Sequence, residues 1–114
     1  MPHFIMDCSQ NLLGSYDEDY LIEQIYTVAN KSQLFDKNDI KVRINAYKNY
    51  SVGNKKDDFI HIFAWIMQGR STEQKAKLSQ QVVTRLTALY PNVSNIAMNI
   101  SEFEKATYCN KNML

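Results

Sequence analysis

The sequence Met1-Pro2-His3-Phe4-Ile5-Met6-Asp7-Cys8-Ser9 opens the chain, and the rest of the molecule is built around it. The alternation of its apolar side chains predicts a strand over residues 2–8, with Phe4, Met6 and Cys8 on one face. Proline is tolerated at the first position of a strand, because no ladder hydrogen bond is lost there. An initiator methionine is usually removed when the next residue is small. Removal would leave Pro2 as a free secondary amine at the end of a strand.

A free amine at Pro2 could carry a proton near neutral pH. An α-amino group ordinarily titrates at about 7.7–8.0, and both desolvation and a nearby cation favour its neutral form. One cation about 6 Å away contributes about 2.8 kcal/mol at an effective dielectric of about 20. A proline that merely starts a strand gives the same sequence, so both interpretations remain open at this point.

The next elements along the chain are a helix and a strand. Ser15-Tyr16-Asp17-Glu18 has the spacing of a capping box, which predicts a helix start. Apolar residues then recur at helical intervals as far as about residue 32 (Leu21, Ile25, Val28, Ala29). A strand follows, in which apolar residues (Ile40, Val42, Ile44, Ala46) alternate with polar ones and a tyrosine (Lys41, Arg43, Asn45, Tyr47).

The second half repeats this order. Residues 59–67 are apolar on both alternations, which predicts a strand buried on both faces. Ser71 and Gln74 form a second capping box, and a second apolar stripe follows (Leu78, Val82, Val83, Leu86, Leu89, Tyr90) before Pro91. Residues 94–103 alternate again and predict the last strand.

This order of elements predicts one α+β domain over residues 1–114. Two βαβ units would share a four-stranded mixed sheet, covered on one face by two helices. Helices in a domain this small cover only one face of the sheet. The other face of the strand at 59–67 is therefore predicted to meet another subunit.

Composition excludes several classes of partner. Thirteen basic and twelve acidic residues give a formal net charge of +1, which does not favour nucleic acid or an anionic membrane. No stretch approaches the roughly 20 apolar residues of a membrane span, and no secretory signal pattern is recognisable. Two cysteines are too few for a disulfide framework. We therefore expect a cytoplasmic protein.

Three cations are candidates for binding an anionic ligand. Lys41 and Arg43 lie two residues apart on one strand, so their side chains share a face about 6.6 Å apart. Arg70 precedes a helix N-terminus, where backbone amides attract anions. A solvated sheet edge and a surface residue beside a helix are the alternative interpretations. His3, His61 and Cys8 are interpreted as structural, and no cofactor or metal signature appears.

Three stretches carry a resemblance to a known family. The chain resembles 5-carboxymethyl-2-hydroxymuconate isomerases in these stretches: Pro2-His3-Phe4-Ile5 with Cys8-Ser9 and Asn11, then Ile40-Lys41-Val42-Arg43, and then Gly69-Arg70-Ser71 with Glu73. These isomerases belong to the tautomerase superfamily, alongside 4-oxalocrotonate tautomerase and macrophage migration inhibitory factor. The resemblance runs from Pro2 to about Asn112.

The resemblance implies a tautomerase-type two-layer sandwich, a homotrimer, and a cofactor-free keto–enol isomerase. Pro2 would be the catalytic general base and acid. Lys41, Arg43 and Arg70 would bind an unsaturated 2-hydroxy dicarboxylate such as 5-carboxymethyl-2-hydroxymuconate, in aromatic (homoprotocatechuate) catabolism. Lys41 departs from the family pattern, which has arginine at the matching position, and lysine lacks the bidentate fork. The departure leaves the exact substrate open.

Two other functions remain possible from sequence. One is a tautomerase paralogue with a different substrate. The other is a non-catalytic ferredoxin-like binding module, which shares the same order of elements. Nucleic-acid-binding modules of that kind usually show glycine and aromatics on a central strand and a basic face. Residues 59–67 contain no glycine, lysine or arginine, which favours the enzyme.

Overall fold

The computed structural model describes residues 1–114, which form four strands, two α-helices and three short 3-10 helices. The strands are β1 (His3–Ser9), β2 (Lys41–Tyr47), β3 (Phe59–Met67) and β4 (Asn95–Phe103). The helices are α1 (Glu18–Lys31) and α2 (Thr72–Leu89). The 3-10 helices span Gln10–Gly14, Lys105–Thr107 and Lys111–Met113.

The strands form one mixed sheet in the order β2-β1-β3-β4. Each βαβ unit supplies a parallel pair, β1 with β2 and β3 with β4, and the two units join through the antiparallel pair β1–β3. The predicted α+β architecture is therefore confirmed. In the register, His3 lies opposite Lys41 on one side and Trp65 on the other.

One face of the sheet and one stripe of each helix form the core. Phe4, Met6 and Cys8 are completely buried, as the alternation predicted. Leu12 and Tyr90 belong to the same cluster, as do buried residues of β3 and of the two helices (Ile60, Ile62, Ala64, Leu21, Ile25, Ala29, Leu78, Val82, Leu86). Burying a large apolar side chain stabilises the fold by about 1.5–3 kcal/mol. This layer sets the position of β1 against its neighbours.

The start of α1 corrects one prediction. The N-cap is Asp17, whose carboxylate accepts a hydrogen bond from the Tyr20 amide at 2.8 Å. Ser15 instead ends the 3-10 helix that replaces the predicted turn, and it has helical backbone angles (φ −87°, ψ −38°). An N-cap residue needs extended angles, so the predicted capping box at Ser15 is wrong. The second capping box, at Ser71, is confirmed.

The opposite face of the sheet, which we call the open face, has no helix over it. It carries the odd-numbered residues of the strands, and Phe63 and Trp65 on it are 38% and 41% exposed. Within a single chain, β3 is therefore covered on one face only. The last residues, beyond β4, form two short 3-10 turns, and Tyr108 there lies 6.1 Å from the Phe103 ring.

No helix is both long enough and apolar enough to span a membrane.

Candidate active site

The amino end of β1 brings the predicted residue Pro2 into a partly buried, charged environment. The Pro2 side chain is fully buried, and its carbonyl accepts a hydrogen bond from the Lys41 amide at 3.1 Å. While Met1 is attached, the Pro2 nitrogen belongs to a tertiary amide and cannot act as a base. The free amine is then that of Met1, which lies at the same end of the strand.

The charge environment of this terminus is mixed. Burial is the main cause that lowers the pKa of the Met1 amine below its ordinary value. The Asp39 carboxylate opposes this effect, the Arg70 and Lys41 cations reinforce it, and Asp36 opposes it more weakly. Desolvation and two cations therefore favour a neutral amine at this position, against two acids.

Lys41 and Arg43 project from β2, an edge strand, onto the open face and are exposed. The Lys41 ammonium donates to the Met1 Sδ and to the Asp39 carbonyl, each at 3.0 Å. Arg43 Nη1 lies 3.1 Å from His3 Nδ1. Both side chains are exposed, as the solvated-edge interpretation expects, but Lys41 contacts Met1 and Arg43 contacts His3.

Arg70 is held by its surroundings rather than free in solvent. Gly69, with a positive φ of 124° that favours glycine, turns the chain out of β3 just before Arg70. The half-buried guanidinium donates to the Met67 carbonyl at 3.3 Å and to the Leu34 carbonyl. It also lies 5.1 Å from the Phe35 ring centroid. Arg70 is therefore only partly exposed, and part of its donor capacity is already used.

His3, which the sequence predicts to be structural, lies among these groups. Its ring contacts Arg43 and lies edge-on to Phe103 at 5.9 Å. Burial lowers its pKa, and the Arg43, Lys41 and amino-terminal charges lower it further. His3, Lys41 and Arg43 all have odd numbers, and the odd-numbered residues of β1 and β2 lie on the open face. The sequence reveals their proximity only when the register between β1 and β2 is known.

The other candidates lie apart from these cations or lack reactivity. His61 contacts Asn99 at 2.5 Å and sits opposite Asp7, away from the start of β1. Burial raises the pKa of the Cys8 thiol to about 11, so it stays protonated at neutral pH. No group of three or more His, Cys, Asp or Glu side chains is arranged to hold a metal ion.

A groove of about 590 Å³ lies elsewhere, between α1 and α2, and is lined by residues such as Lys31, Lys77 and Arg85. It includes none of the predicted site residues. The start of β1 is therefore the better candidate for the active site, because the terminal amine lies there and Lys41 and Arg43 contact the neighbouring side chains.

Comparison with known proteins decides the family. The family model of 5-carboxymethyl-2-hydroxymuconate isomerase matches residues 2–114. The chain belongs to this family. It is thus an isomerase, which agrees with the enzyme interpretation and not with the binding-module alternative. No curated protein matches the sequence.

Several solved structures have the same fold as this chain. A 5-carboxymethyl-2-hydroxymuconate isomerase from Deinococcus radiodurans R1 is 23% identical, with a TM-score of 0.83 over 96% of this chain and 88% of that one. A 5-carboxymethyl-2-hydroxymuconate delta-isomerase is 14% identical (TM-score 0.74, 97% and 87% covered). A fused 4-OT wild-type symmetric trimer is also 14% identical (TM-score 0.80, 98% and 94% covered). At these identities the likeness establishes the tautomerase-type fold.

Proposed function

We propose that the protein is a cofactor-free keto–enol tautomerase that uses Pro2, once Met1 is removed, as general base and general acid. The substrate class is an unsaturated 2-hydroxy dicarboxylate such as 5-carboxymethyl-2-hydroxymuconate. The setting is the breakdown of aromatic compounds in the cytoplasm.

The observation that carries the proposal is the environment of the amino terminus. The pKa of the terminal amine is lowered by burial and by Arg70 and Lys41. Removal of Met1 would move the free amine onto Pro2, whose ring is already buried. The same burial and the same cations would lower the pKa of a secondary amine in that place, and a base works best when its pKa lies close to the working pH.

The proposed reaction moves one proton. The neutral Pro2 amine takes the proton of the 2-hydroxyl group and leaves a conjugated enolate. The protonated amine then gives the proton to a distant carbon, and in the same step the oxygen becomes a carbonyl and the double bond shifts along the conjugated chain. Negative charge develops on the oxygen between these steps, and cations aimed at it stabilise the transition state.

Lys41 and Arg43 are the cations proposed for the 2-hydroxy-acid end of the substrate, where the negative charge develops. Both lie on the open face beside the first residues of β1. Arg70 is proposed for the far carboxylate. Its guanidinium has five N–H donors, of which two contact backbone carbonyls, so donors remain for a ligand.

A homotrimer is proposed for the assembly. The open face of the sheet exposes Phe63 and Trp65, and contiguous exposed apolar surface marks interaction sites. A similar structure is described as a symmetric trimer. Packing the open faces around a common axis would cover these side chains.

The test compares proteins that differ only at the amino terminus. Protein with Met1 removed, verified by intact mass, should isomerise the dicarboxylate enol, followed by the loss of its ultraviolet absorbance. A chain with one extra residue before Pro2 should lose activity about 10²–10⁴-fold, the range for general acid–base catalysis. Pro2→Ala is the matched control, because it keeps a free primary amine and some activity. Full activity in protein that retains Met1 would refute the role of Pro2.

The substrate class has its own test. A monoacid enol such as phenylenolpyruvate should be turned over less efficiently than the diacid, because one cation is left without a carboxylate. Equal kcat/KM for the two compounds would contradict the assignment of Arg70 to a second carboxylate.

A further inference from the structure

His3 and Arg43 form a contact that joins two strands beside the proposed catalytic terminus. His3 lies opposite Lys41 in the parallel pairing, so Arg43 is its diagonal neighbour on the open face. The imidazole Nδ1 and the guanidinium Nη1 are 3.1 Å apart, which is a hydrogen-bond distance.

The chemistry of arginine decides the direction of this bond. A guanidinium has donors only and stays protonated in proteins, so the imidazole nitrogen must be the acceptor. A protonated imidazole carries hydrogen on both nitrogens and cannot accept. The contact therefore requires neutral His3, in the tautomer with its proton on Nε2.

We infer that His3 is a positioning residue, whose neutral imidazole holds the Arg43 guanidinium in the orientation that the isomerisation needs. This inference builds on the proposed function, because it assigns a partner to one of the cations proposed there.

A neutral acceptor suits this position better than a carboxylate. An acidic partner would orient Arg43 but would also cancel the charge needed for an anionic substrate. The single salt bridge in the chain joins Lys75 to Glu102, so Arg43 has no carboxylate partner. The imidazole uses one of the five N–H donors and leaves the positive charge intact.

The surroundings of His3 keep both its orientation and its neutral state. The Phe103 ring from β4 meets the imidazole edge-on, with 80° between the planes. Trp65 from β3 lies directly opposite it and carries no charge. The charged groups that act on His3 are Arg43 and Lys41 from β2 and the amino terminus, and all three are cationic.

The arrangement has a consequence for pH dependence. Above the pKa of His3, which lies below its ordinary value of 6.5, the acceptor is available and Arg43 is held. Below that pKa, His3 gains a proton, the bond is lost, and two adjacent cations repel each other. Turnover should therefore fall on the acid side in a way that depends on His3.

Kinetics of three variants test the inference in protein with a free Pro2. His3→Phe keeps a ring against Phe103 but has no acceptor, and kcat/KM should fall about tenfold, the low end for a hydrogen bond to a charged group. His3→Asn places an amide oxygen near the position of Nδ1 and should restore most of the loss. In an Arg43→Ala background, His3→Phe should cause no further loss, because the group that it positions is gone.

Two further readouts separate positioning from a merely structural role. The fall in turnover at low pH that is attributed to protonation of His3 should be absent from the pH profiles of kcat for both His3 variants. Nitrogen NMR of the wild-type imidazole should show the Nε2–H tautomer, and Arg43→Ala should shift the Nδ1 signal. This second measurement does not depend on activity.

The possible failures are distinguishable. Unchanged kcat and KM in His3→Phe, or a full additional loss in the Arg43→Ala background, overturn the positioning role while the proposed function stands. A wild-type tautomer with hydrogen on Nδ1 also overturns it. Absence of isomerase activity in wild-type protein with a free Pro2 overturns both proposals together, whatever the NMR signal shows.

Discussion

Replacing Arg70 by alanine should change both the stability of the protein and its affinity for substrate. The guanidinium joins two separate segments, through the Met67 carbonyl at the end of β3 and the Leu34 carbonyl after α1. It also packs over Phe35, whose ring contacts Phe4 in the core at 6.0 Å. The side chain therefore connects the end of β3 to the residues that follow α1, close enough to the terminal amine to lower its pKa.

The expected loss of stability follows from these contacts. Each hydrogen bond contributes about 1 kcal/mol net at a half-buried site, and the contact with Phe35 adds about 0.5–1 kcal/mol. Arg70→Ala should then lower the free energy of unfolding by about 2–3 kcal/mol. For a chain of this size that corresponds to a fall in Tm of about 10 °C, at about 4 °C per kcal/mol. In the proposed reaction, KM should rise while kcat changes less, because the far carboxylate loses its partner.

The assay is thermal unfolding at one fixed protein concentration, together with steady-state kinetics at a temperature where every variant is folded. Arg70→Lys keeps the charge but loses the planar fork, so it should recover substrate affinity better than stability. Arg85→Gln is the matched control, since this exposed arginine makes one side-chain hydrogen bond, to Gln24 on the helical layer; its Tm should change by no more than about 2 °C. An unchanged Tm in Arg70→Ala would refute the bracing argument, and an unchanged KM would refute the role in substrate binding.

Three more predictions follow from individual contacts. Asp39→Asn removes a carboxylate that raises the pKa of the terminal amine, so the ascending limb of the kcat/KM profile should move to lower pH; a limb that stays or moves upward would contradict this. Trp65→Glu places a charge on the open face and should convert a particle of about three times 13.3 kDa into a monomer by light scattering; a monomeric wild type would contradict the trimer. Tyr90→Phe deletes a buried 2.9 Å hydrogen bond to the Leu12 carbonyl and should cost about 1 kcal/mol at pH 7 in urea unfolding. Burial raises the pKa of Tyr90 from 10.0 to about 12. As the pH rises between these values, the phenol ionises in the unfolded chain first, and the free energy of unfolding of the wild type falls. Tyr90→Phe should lose less stability over that range, and equal losses in wild type and variant would refute the argument.

Much of the fold could be predicted from sequence because the signals are local. The apolar run at residues 59–67 matches the bounds of β3 residue for residue, since a short continuous apolar run is typical of a buried strand. The second capping box needs only Ser71 and Gln74, three residues apart. The prediction at Ser15 failed for a similar reason. Its spacing was suitable, but a 3-10 helix built on buried Leu12 occupies that part of the chain.

The sequence by itself determined the order of strands and helices, the buried face of each, the proline behind Met1 and the family to which the chain belongs. Tertiary structure alone decided which distant groups meet at the start of β1. His3 contacts Arg43 across 40 residues of sequence, and Arg70 contacts the Leu34 carbonyl across 36. Such contacts depend on strand register and on how the loops pack, and a register shifted by one residue would reverse every side chain of β2 to the other face. Local patterns show which side chains of a strand share a face, but they do not show which residues of two strands lie opposite each other, because that pairing depends on the packing of the whole core.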